Sequence, residues 1–312
     1  MSDTSVSLRA PASTTTPAAR AQRPRGRLGP RWAMIPGLVV LAALSIYPAL
    51  YSIYISLFRW NLQDPTNRPF VGLRNYASLL TDASFWHALQ VTAVFVVCSV
   101  ALEFVLAFGL ALVFFRGLPG EKLMRGLILL PMLCAPVVMG LLAKFTLDPS
   151  FGIVNQILGA VGIPHVDFLG STSLALPTII AIDVWQWTPF LFLIFLAGMQ
   201  GLPEEVIEAS KLDGASWPRI VWHQFFPLLR YPILVGLALR LIDTFRVYDV
   251  IFMTTRGGPV DATSTMSWQI YDVGFRSFNL SYAAAFSWLL LIIVLVCVSA
   301  MIRRIVNHES GA

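Results

Sequence analysis

The sequence of 312 residues contains little charge, since Asp, Glu, Lys and Arg together make up 12% of it, about half of their usual share in soluble domains. Hydrophobic residues make up 56% and fall largely in long blocks, the pattern of a chain that crosses a membrane several times. The net charge of +5 does not indicate nucleic-acid binding, because no run of Lys and Arg is interleaved with aromatic residues.

Motifs for catalysis and for metal binding are also absent from the sequence. The three cysteines lie in apolar blocks and are interpreted as packing residues, and no two of the four histidines have metal-ligand spacing. Residues 117–122 lack the spacing of a phosphate-binding loop, and the sequence contains no Gly-x-Ser-x-Gly motif. We therefore expect no enzyme activity in this chain. Any work against a gradient would need energy from a partner or from an ion.

Six apolar blocks are long enough to cross a bilayer core of about 30 Å. They cover residues 33–57, 88–115, 123–145, 174–199, 228–253 and 282–302. Pro131 and Pro136 predict a kink in the third block, and Pro189 predicts a break in the fourth. The sequence thus predicts an all-α membrane protein with six transmembrane helices in residues 32–305. A disordered tail at 1–31 and a short tail at 306–312 would flank it.

The basic residues predict the orientation of these spans. One side would hold Arg9, Arg20, Arg23, Arg25, Arg27, Arg31, Arg116, Lys122, Arg125, Lys211, Arg219, Arg230, Arg303 and Arg304. The other side would hold Arg59, Arg68, Arg74, Arg256 and Arg276. Because basic residues concentrate on the cytoplasmic side, both termini of this multi-pass membrane protein are predicted to be cytoplasmic.

The polar segment between the fourth and fifth spans carries the most specific local pattern. Pro203 suits a first helical turn, and Asp213-Gly214 is a turn dipeptide. Ser216 can cap a second helix that begins at Trp217. The pattern predicts a helix, a sharp turn and a second helix on the cytoplasmic side, whereas the alternative interpretation is an ordinary solvated loop.

The run Glu208-Ala209-Ser210-x-x-Asp213-Gly214-Ala215 resembles the cytoplasmic EAA loop of bacterial ABC-importer permeases. The resemblance implies that residues 203–226, called the hairpin below, form a coupling element that docks on a separate ATPase subunit. The residues assigned to coupling are Glu204, Glu205, Glu208, Ala209, Asp213, Gly214 and Ala215. The hairpin departs from the usual pattern at Ser210, Val221, Gln224 and Phe226.

Further segments, in order along the chain, are similar to carbohydrate permeases of the maltose and glycerol-phosphate group. They are residues 70–76, 148–155, 185–190, 243–245 and 257–259. The resemblance implies a type I ABC-importer permease, the first of a heterodimeric pair, that moves a sugar by alternating access. Its implied partners are a second homologous permease, two ABC ATPase subunits that use ATP and Mg, and an extracytoplasmic solute-binding protein. The chain itself would bind no cofactor, metal or nucleic acid.

Ionisable residues within the spans are candidates for a solute pathway, because buried charges in membranes usually face a cavity or a partner. The candidates, with their polar and aromatic neighbours, are Asp183, Trp185, Gln186, Asp243, Arg246, Tyr248 and Asp249. Carboxylates suit hydroxyl donors, and aromatic faces suit the C–H faces of sugars. The alternative for residues 243–249 is a structural ion pair at the interface with the partner permease.

Three of the charged residues carry more specific expectations. Asp243 and Arg246 stand three apart and could pair on one helical face. Glu103 is expected to serve packing or an interhelical hydrogen bond. Arg240 is expected near the cytoplasmic end of its span, with its head group reaching the interface.

Two other classes of protein remain as alternatives. An ion-coupled secondary transporter or channel would not need the hairpin, and no inverted repeat is visible in the sequence. A membrane-embedded enzyme should carry a His/Asp or paired-carboxylate motif at a membrane face, and the sequence contains none.

Overall fold

The structure is a computed structural model that describes residues 34–64 and 66–307. The tail predicted at 1–31 lies outside these residues, as do residues 308–312 of the tail predicted at 306–312, whereas residues 306 and 307 belong to the last helix. The chain divides into two compact units, residues 1–49 and 50–312. Among the described residues the first unit contains only the beginning of the first helix, and the packing described below lies within the second unit.

The described residues are mainly helical, with isolated β-bridges but no strand. The helices are α1 (Ile35–Ser56), α2 (Arg74–Thr81), α3 (Ala83–Phe115), α4 (Glu121–Leu133), α5 (Pro136–Thr146), α6 (Ile153–Ala160), α7 (Ala175–Gln200), α8 (Glu204–Leu212), α9 (Trp217–Ile220), α10 (Phe226–Leu228), α11 (Arg230–Thr244), α12 (Asp249–Met253), α13 (Met266–Tyr271) and α14 (Leu280–Asn307). Wide π-helical turns at Val221–Phe225 and Asp272–Arg276 join neighbouring helices.

Four helices are long and apolar enough to cross a membrane by themselves, namely α1, α3, α7 and most of α14. Two bent pairs raise the number to six if each pair counts as one span. The pair α4 and α5 bends by 95°, and Trp217–Leu228 bends by 71° against Arg230–Met253. The predicted all-α fold with several membrane spans is confirmed.

The bend between α4 and α5 confirms the kink predicted in the third block. Cys134 and Ala135 are extended, Pro136 opens α5, and Pro131 lies inside α4 without ending it. The break frees the carbonyl of Cys134, which accepts a hydrogen bond of 3.0 Å from the Gln186 side chain. A polar side chain of a neighbouring helix thus satisfies a backbone group that the bend leaves without a helical partner.

The break predicted at Pro189 is wrong, because α7 continues unbroken from Ala175 to Gln200. Pro189 and its neighbours Leu191 and Phe192 are buried. Tertiary packing therefore holds the helical geometry through the proline.

The fifth span is interrupted where one continuous helix was predicted. The chain leaves helical geometry at Leu229 and again between Thr244 and Asp249, where Tyr248 has φ −142° and ψ −51°. The second interruption falls among Asp243, Arg246 and Asp249. Leaving the helix there lets these polar side chains point in different directions.

Two hydrophobic clusters lie along the parallel helices α3 and α7. The first joins the beginnings of α3 and α7 to the later helices through Phe95, Ile179, Ile251, Met266 and Phe286. The second joins the ends of α3 and α7 to the hairpin through Phe114, Phe192, Ile207, Ile220 and Phe225. The two long helices thus connect the hairpin with the opposite end of the molecule.

A tyrosine–carboxylate contact fastens the start of α14 to the start of α3. The Tyr282 hydroxyl donates a hydrogen bond of 2.9 Å to Asp82, which also accepts from the Ser84 backbone N–H. Burial acts to raise the pKa of Asp82, but these two donors outweigh it and hold that pKa below its ordinary value.

Helices α5 and α12 approach so closely at Gly140 that no side chain fits between them. A Cβ atom at this position would lie 2.9 Å from the Cβ of Met253 and 3.2 Å from the Cα of Val250. In contrast, a Cβ atom at Gly109 in α3 would meet nothing within 4 Å.

We expect Gly140→Ala to destabilise the protein by about 1–3 kcal/mol, because the added methyl group would force the two backbones apart. The matched control Gly109→Ala should be neutral or slightly stabilising, because alanine favours the helix. Thermal unfolding of both purified variants in detergent measures the difference. Equal midpoints for the two variants would contradict the close approach of α5 and α12.

Candidate functional site

Arg240 lies at the centre of a buried group of charges, called the ion cluster below. Its Nε and Nη2 atoms donate to both oxygens of Glu103, at 2.6 and 2.7 Å. Nη2 also donates to Asp183, and Nη1 donates to Asp243 at 2.9 Å. The Arg240 side chain is 1% exposed, and Glu103 and Asp183 are also buried. The cluster therefore ties α3, α7 and α11 together.

The position of Arg240 corrects the expectation that it lies near the cytoplasmic interface. Carboxylates from two other helices bind the guanidinium. A buried cation that is paired in this way does not need to extend to the membrane interface for hydration. Glu103 matches its expectation, since it makes an interhelical hydrogen bond. The sequence could not identify these partners, because Glu103 and Arg240 are 137 residues apart.

A polar cavity of about 70 Å³ adjoins the ion cluster. Its lining residues are Pro136, Asp183, Trp187, Arg240, Asp243, Arg246, Val247, Tyr248, Asp249 and Val250. Arg240 closes one side and lies 5.2 Å from the centroid of the Trp187 ring. The Asp243 side chain is 50% exposed, so one of its oxygens can bind Arg240 while the other faces the cavity.

The structure brings five of the seven predicted pathway residues to this cavity: Asp183, Asp243, Arg246, Tyr248 and Asp249. Trp185 does not line the cavity, since its side chain is 60% exposed and borders apolar hollows on the surface. Gln186 is fully buried and donates to the bend between α4 and α5, and its Oε1 atom has no hydrogen-bond partner among the described residues.

The expected pairing of Asp243 with Arg246 is wrong, because Asp243 pairs with Arg240 instead. The helix ends at Thr244, so the face that would carry Asp243 and Arg246 together does not continue. Arg246 is exposed and makes no ion pair with any described residue.

Aromatic rings surround Tyr248 on the side away from the ion cluster. The Tyr248 ring lies 5.0 Å from Tyr271 and 5.5 Å from Phe252, measured between ring centroids. Trp268 is buried within the same group. These contacts hold the Tyr248 ring in place at the cavity wall.

The hairpin is a second candidate site, and its turn has a well-defined geometry. The Ala215 N–H donates to the Ser210 carbonyl and the Gly214 N–H to the Lys211 carbonyl, each at 3.0 Å. This pair of bonds is a Schellman motif, which needs a left-handed residue directly after the cap. Gly214 supplies it with φ +73°, so the glycine has a definite role in the turn.

The start of each short helix differs in detail from expectation. Pro203 occupies the N-cap position, and Glu204 rather than Pro203 begins α8. Ser216 is the N-cap of α9, which begins at Trp217 as predicted, but its hydroxyl makes no capping bond.

The hairpin has one buried face and one exposed face. Ile207 and Ile220 are buried against the ends of α3 and α7, and the Arg116 guanidinium lies 4.4 Å from the Trp217 ring centroid. The exposed residues of the turn and of α8 include Glu205, Glu208, Ala209, Leu212, Asp213 and Gly214. Ala215 is half-buried beside them.

A surface hollow of about 280 Å³ adjoins this exposed face. It is lined by Ser210, Asp213, Ala215, Arg219, Ile220, His223 and Gln224. The hollow is lined by polar side chains apart from Ala215 and Ile220, and Leu212 of the turn is 89% exposed.

These features define a multi-span helical permease with an exposed helix–turn–helix, a subunit for transport and not an enzyme. The chain belongs to the family of binding-protein-dependent transport system inner membrane components, which matches residues 103–308. It is therefore a multi-pass protein of the inner membrane.

Related permeases and a solved structure support this membership. The trehalose/maltose transport system permease protein MalF of Thermococcus litoralis is 35% identical, over 77% of this chain and 82% of the relative. The sn-glycerol-3-phosphate transport system permease protein UgpA of Agrobacterium fabrum is 31% identical, over 86% and 91%. A bacterial ABC transporter for import of the acidic polysaccharide alginate has a chain with the same fold, with TM-score 0.77 and 21% identity over 89% and 95%.

We expect Arg240→Met to destabilise the protein by about 3–5 kcal/mol, because it leaves buried carboxylates without their cation. Adding Glu103→Gln and Asp183→Asn to this variant should restore part of the loss. The matched control Arg276→Met removes the exposed Arg276–Asp272 pair and should cost less than about 1 kcal/mol. Thermal unfolding in detergent compares them, and equal midpoints for Arg240→Met and the control would contradict the buried cluster.

Proposed function

We propose that this chain is the membrane-spanning permease of an ATP-driven sugar importer and the first of two different permeases in it. Family membership gives the class of transport system, and the names of the related permeases motivate the choice of a sugar. Di- and oligosaccharides, polyols and glycerol phosphates are the candidate solutes.

The exposed face of the hairpin is the observation that carries this proposal. Glu205, Glu208 and Asp213 present negative charge around the apolar tip of Leu212, and Gly214 leaves open space beside them. The buried face is anchored on α3 and α7. An element that packs against the spans with one face and exposes the other face is suited to transmit force from a separate subunit that binds the exposed face.

Packing supports a route from the hairpin to the polar cavity. Phe226 stacks on Phe108 of α3 at 4.6 Å, and Phe225 contacts Phe115 at 5.2 Å, measured between ring centroids. The same chain segment then continues through Leu229 into α11, which carries Arg240. Movement of the hairpin would therefore move α11 and the ion cluster, and the last four spans would rock around the cavity.

The remaining partners follow from the same proposal. Two ABC ATPase subunits would bind ATP and Mg and dock on the hairpins, and a second homologous permease would complete the pathway. An extracytoplasmic binding protein would deliver the sugar. Both termini and the hairpin would then be cytoplasmic, as the distribution of basic residues indicates. An ion-coupled transporter would have no use for the exposed face of the hairpin.

The test compares two glycines with the same backbone geometry. Gly214 and Gly117 both have φ near +75°, and a Cβ atom at either would meet nothing within 4 Å. Trp at either position carries the same backbone strain, but only Trp at 214 obstructs the proposed docking face.

We expect Gly214→Trp to abolish ATP-dependent sugar uptake and co-purification of the ATPase, while the amount of permease in the membrane stays unchanged. Gly117→Trp should keep both properties. Uptake and ATPase retention in detergent extracts are measured for each variant. Normal uptake by Gly214→Trp would rule out the proposed coupling role.

A further inference from the structure

The charges that face the polar cavity decide which solutes it can accept. The cavity has three carboxylates in its lining, from Asp183, Asp243 and Asp249, against the guanidinium groups of Arg240 and Arg246. Glu103 adds a fourth carboxylate directly behind Arg240. Even if two of the buried carboxyl groups shared one proton, the negative charges would still outnumber the positive ones.

Arg240 is not available to a solute. A guanidinium has five N–H donors, and four hydrogen bonds to Glu103, Asp183 and Asp243 already engage Arg240. The one remaining N–H belongs to a side chain that is only 1% exposed and whose positive charge these carboxylates already compensate, so an anionic solute would gain little from it.

Arg246 is the remaining cation of the cavity lining. It stands between Asp243 and Asp249 along the chain, and both of these line the same cavity. A phosphate or uronate group at Arg246 would therefore share the cavity with two carboxylates, and like charges repel strongly where water is scarce.

Uncharged hydroxyl groups fit this lining well. The Asp243 and Asp249 carboxylates accept hydrogen bonds from hydroxyl donors, and Arg246 donates to hydroxyl oxygens. Tyr248 and Trp187 add aromatic surface to the same lining, which suits the apolar faces of a sugar ring.

From these charges, and resting on the proposed function, we infer that the transported solute is an uncharged saccharide rather than a glycerol phosphate or an acidic oligosaccharide. The distinction matters because relatives and structural neighbours of this chain include transporters named for each of these chemistries.

The test uses the complete importer in proteoliposomes with four labelled probes: trehalose, maltose, sn-glycerol 3-phosphate and an alginate pentasaccharide. Two matched variants, Arg246→Gln and Asp249→Asn, each remove one charge from the cavity with little change in side-chain size. Comparing the two variants reports the preference of the permease itself, because the binding protein is the same in both.

If the solute is uncharged, we expect ATP-dependent uptake of trehalose or maltose. Both variants should lower this uptake to a similar extent of about 2- to 10-fold, which corresponds to the free energy of one hydrogen bond. The opposite result is uptake of either anionic probe that falls on the order of 100-fold in Arg246→Gln and rises in Asp249→Asn. This result would overturn the inference. That result would leave the proposed sugar importer intact. Failure of all four probes, and of a wider panel of oligosaccharides and polyols, to be taken up with ATP would instead contradict the proposed function, and this inference with it.

Discussion

A single buried guanidinium sets the constraint on which the rest of the described structure depends. Arg240 cannot be buried in an apolar helix bundle without carboxylates, and Glu103 on α3 and Asp183 on α7 supply them. Those two carboxylates are equally dependent on Arg240. The positions of α3, α7 and α11 along their axes are therefore fixed relative to one another at the ion cluster. The hydrophobic clusters pack on either side of this point. Apolar contacts alone would leave more freedom to slide, because they are not directional.

The long helices convert this local constraint into a connection between two distant sites. Helices α3 and α7 contact the hairpin at their ends through Phe114 and Phe192. Glu103 and Asp183 lie in the same two helices, before these contacts along the chain. Helix α11 leads from the hairpin segment directly to Arg240. Because all three helices meet again at the ion cluster, a displacement of the hairpin would, in the proposed mechanism, be transmitted to the cavity through closely packed elements.

The sequence predicted local features well and long-range pairs poorly. The helical character of the long apolar blocks, the Pro136 bend and the Asp213-Gly214 turn depend on residues close together in the chain, and all three were predicted correctly. The partners of Arg240 depend on which helices become neighbours, a matter of tertiary packing that spacing along the chain does not reveal. The same limit explains the errors at Pro189, where burial preserves the helix, and at Arg246, where the helix ends before the expected pair can form. Trp185 and Gln186 were grouped with Asp183 because they are close in sequence, but they point to different surroundings.

The size of the polar cavity bears on how a solute would pass. The cavity volume of about 70 Å³ is far below the roughly 300–1,000 Å³ of typical ligand pockets. The cavity therefore has room for a few water molecules but not for a sugar ring. The wall formed by α5 and α12 cannot be compressed, because these two helices are in contact at Gly140 without a side chain between them. The opposite wall is held by the ion cluster. Space for a ring must then come from separating these two walls or, in the proposed importer, from a second permease. Separation would uncover Asp243, which is half-exposed, and Arg246, which makes no ion pair with any described residue. Of the charges that hold the helices together, Asp243 is thus the one that a solute would meet first.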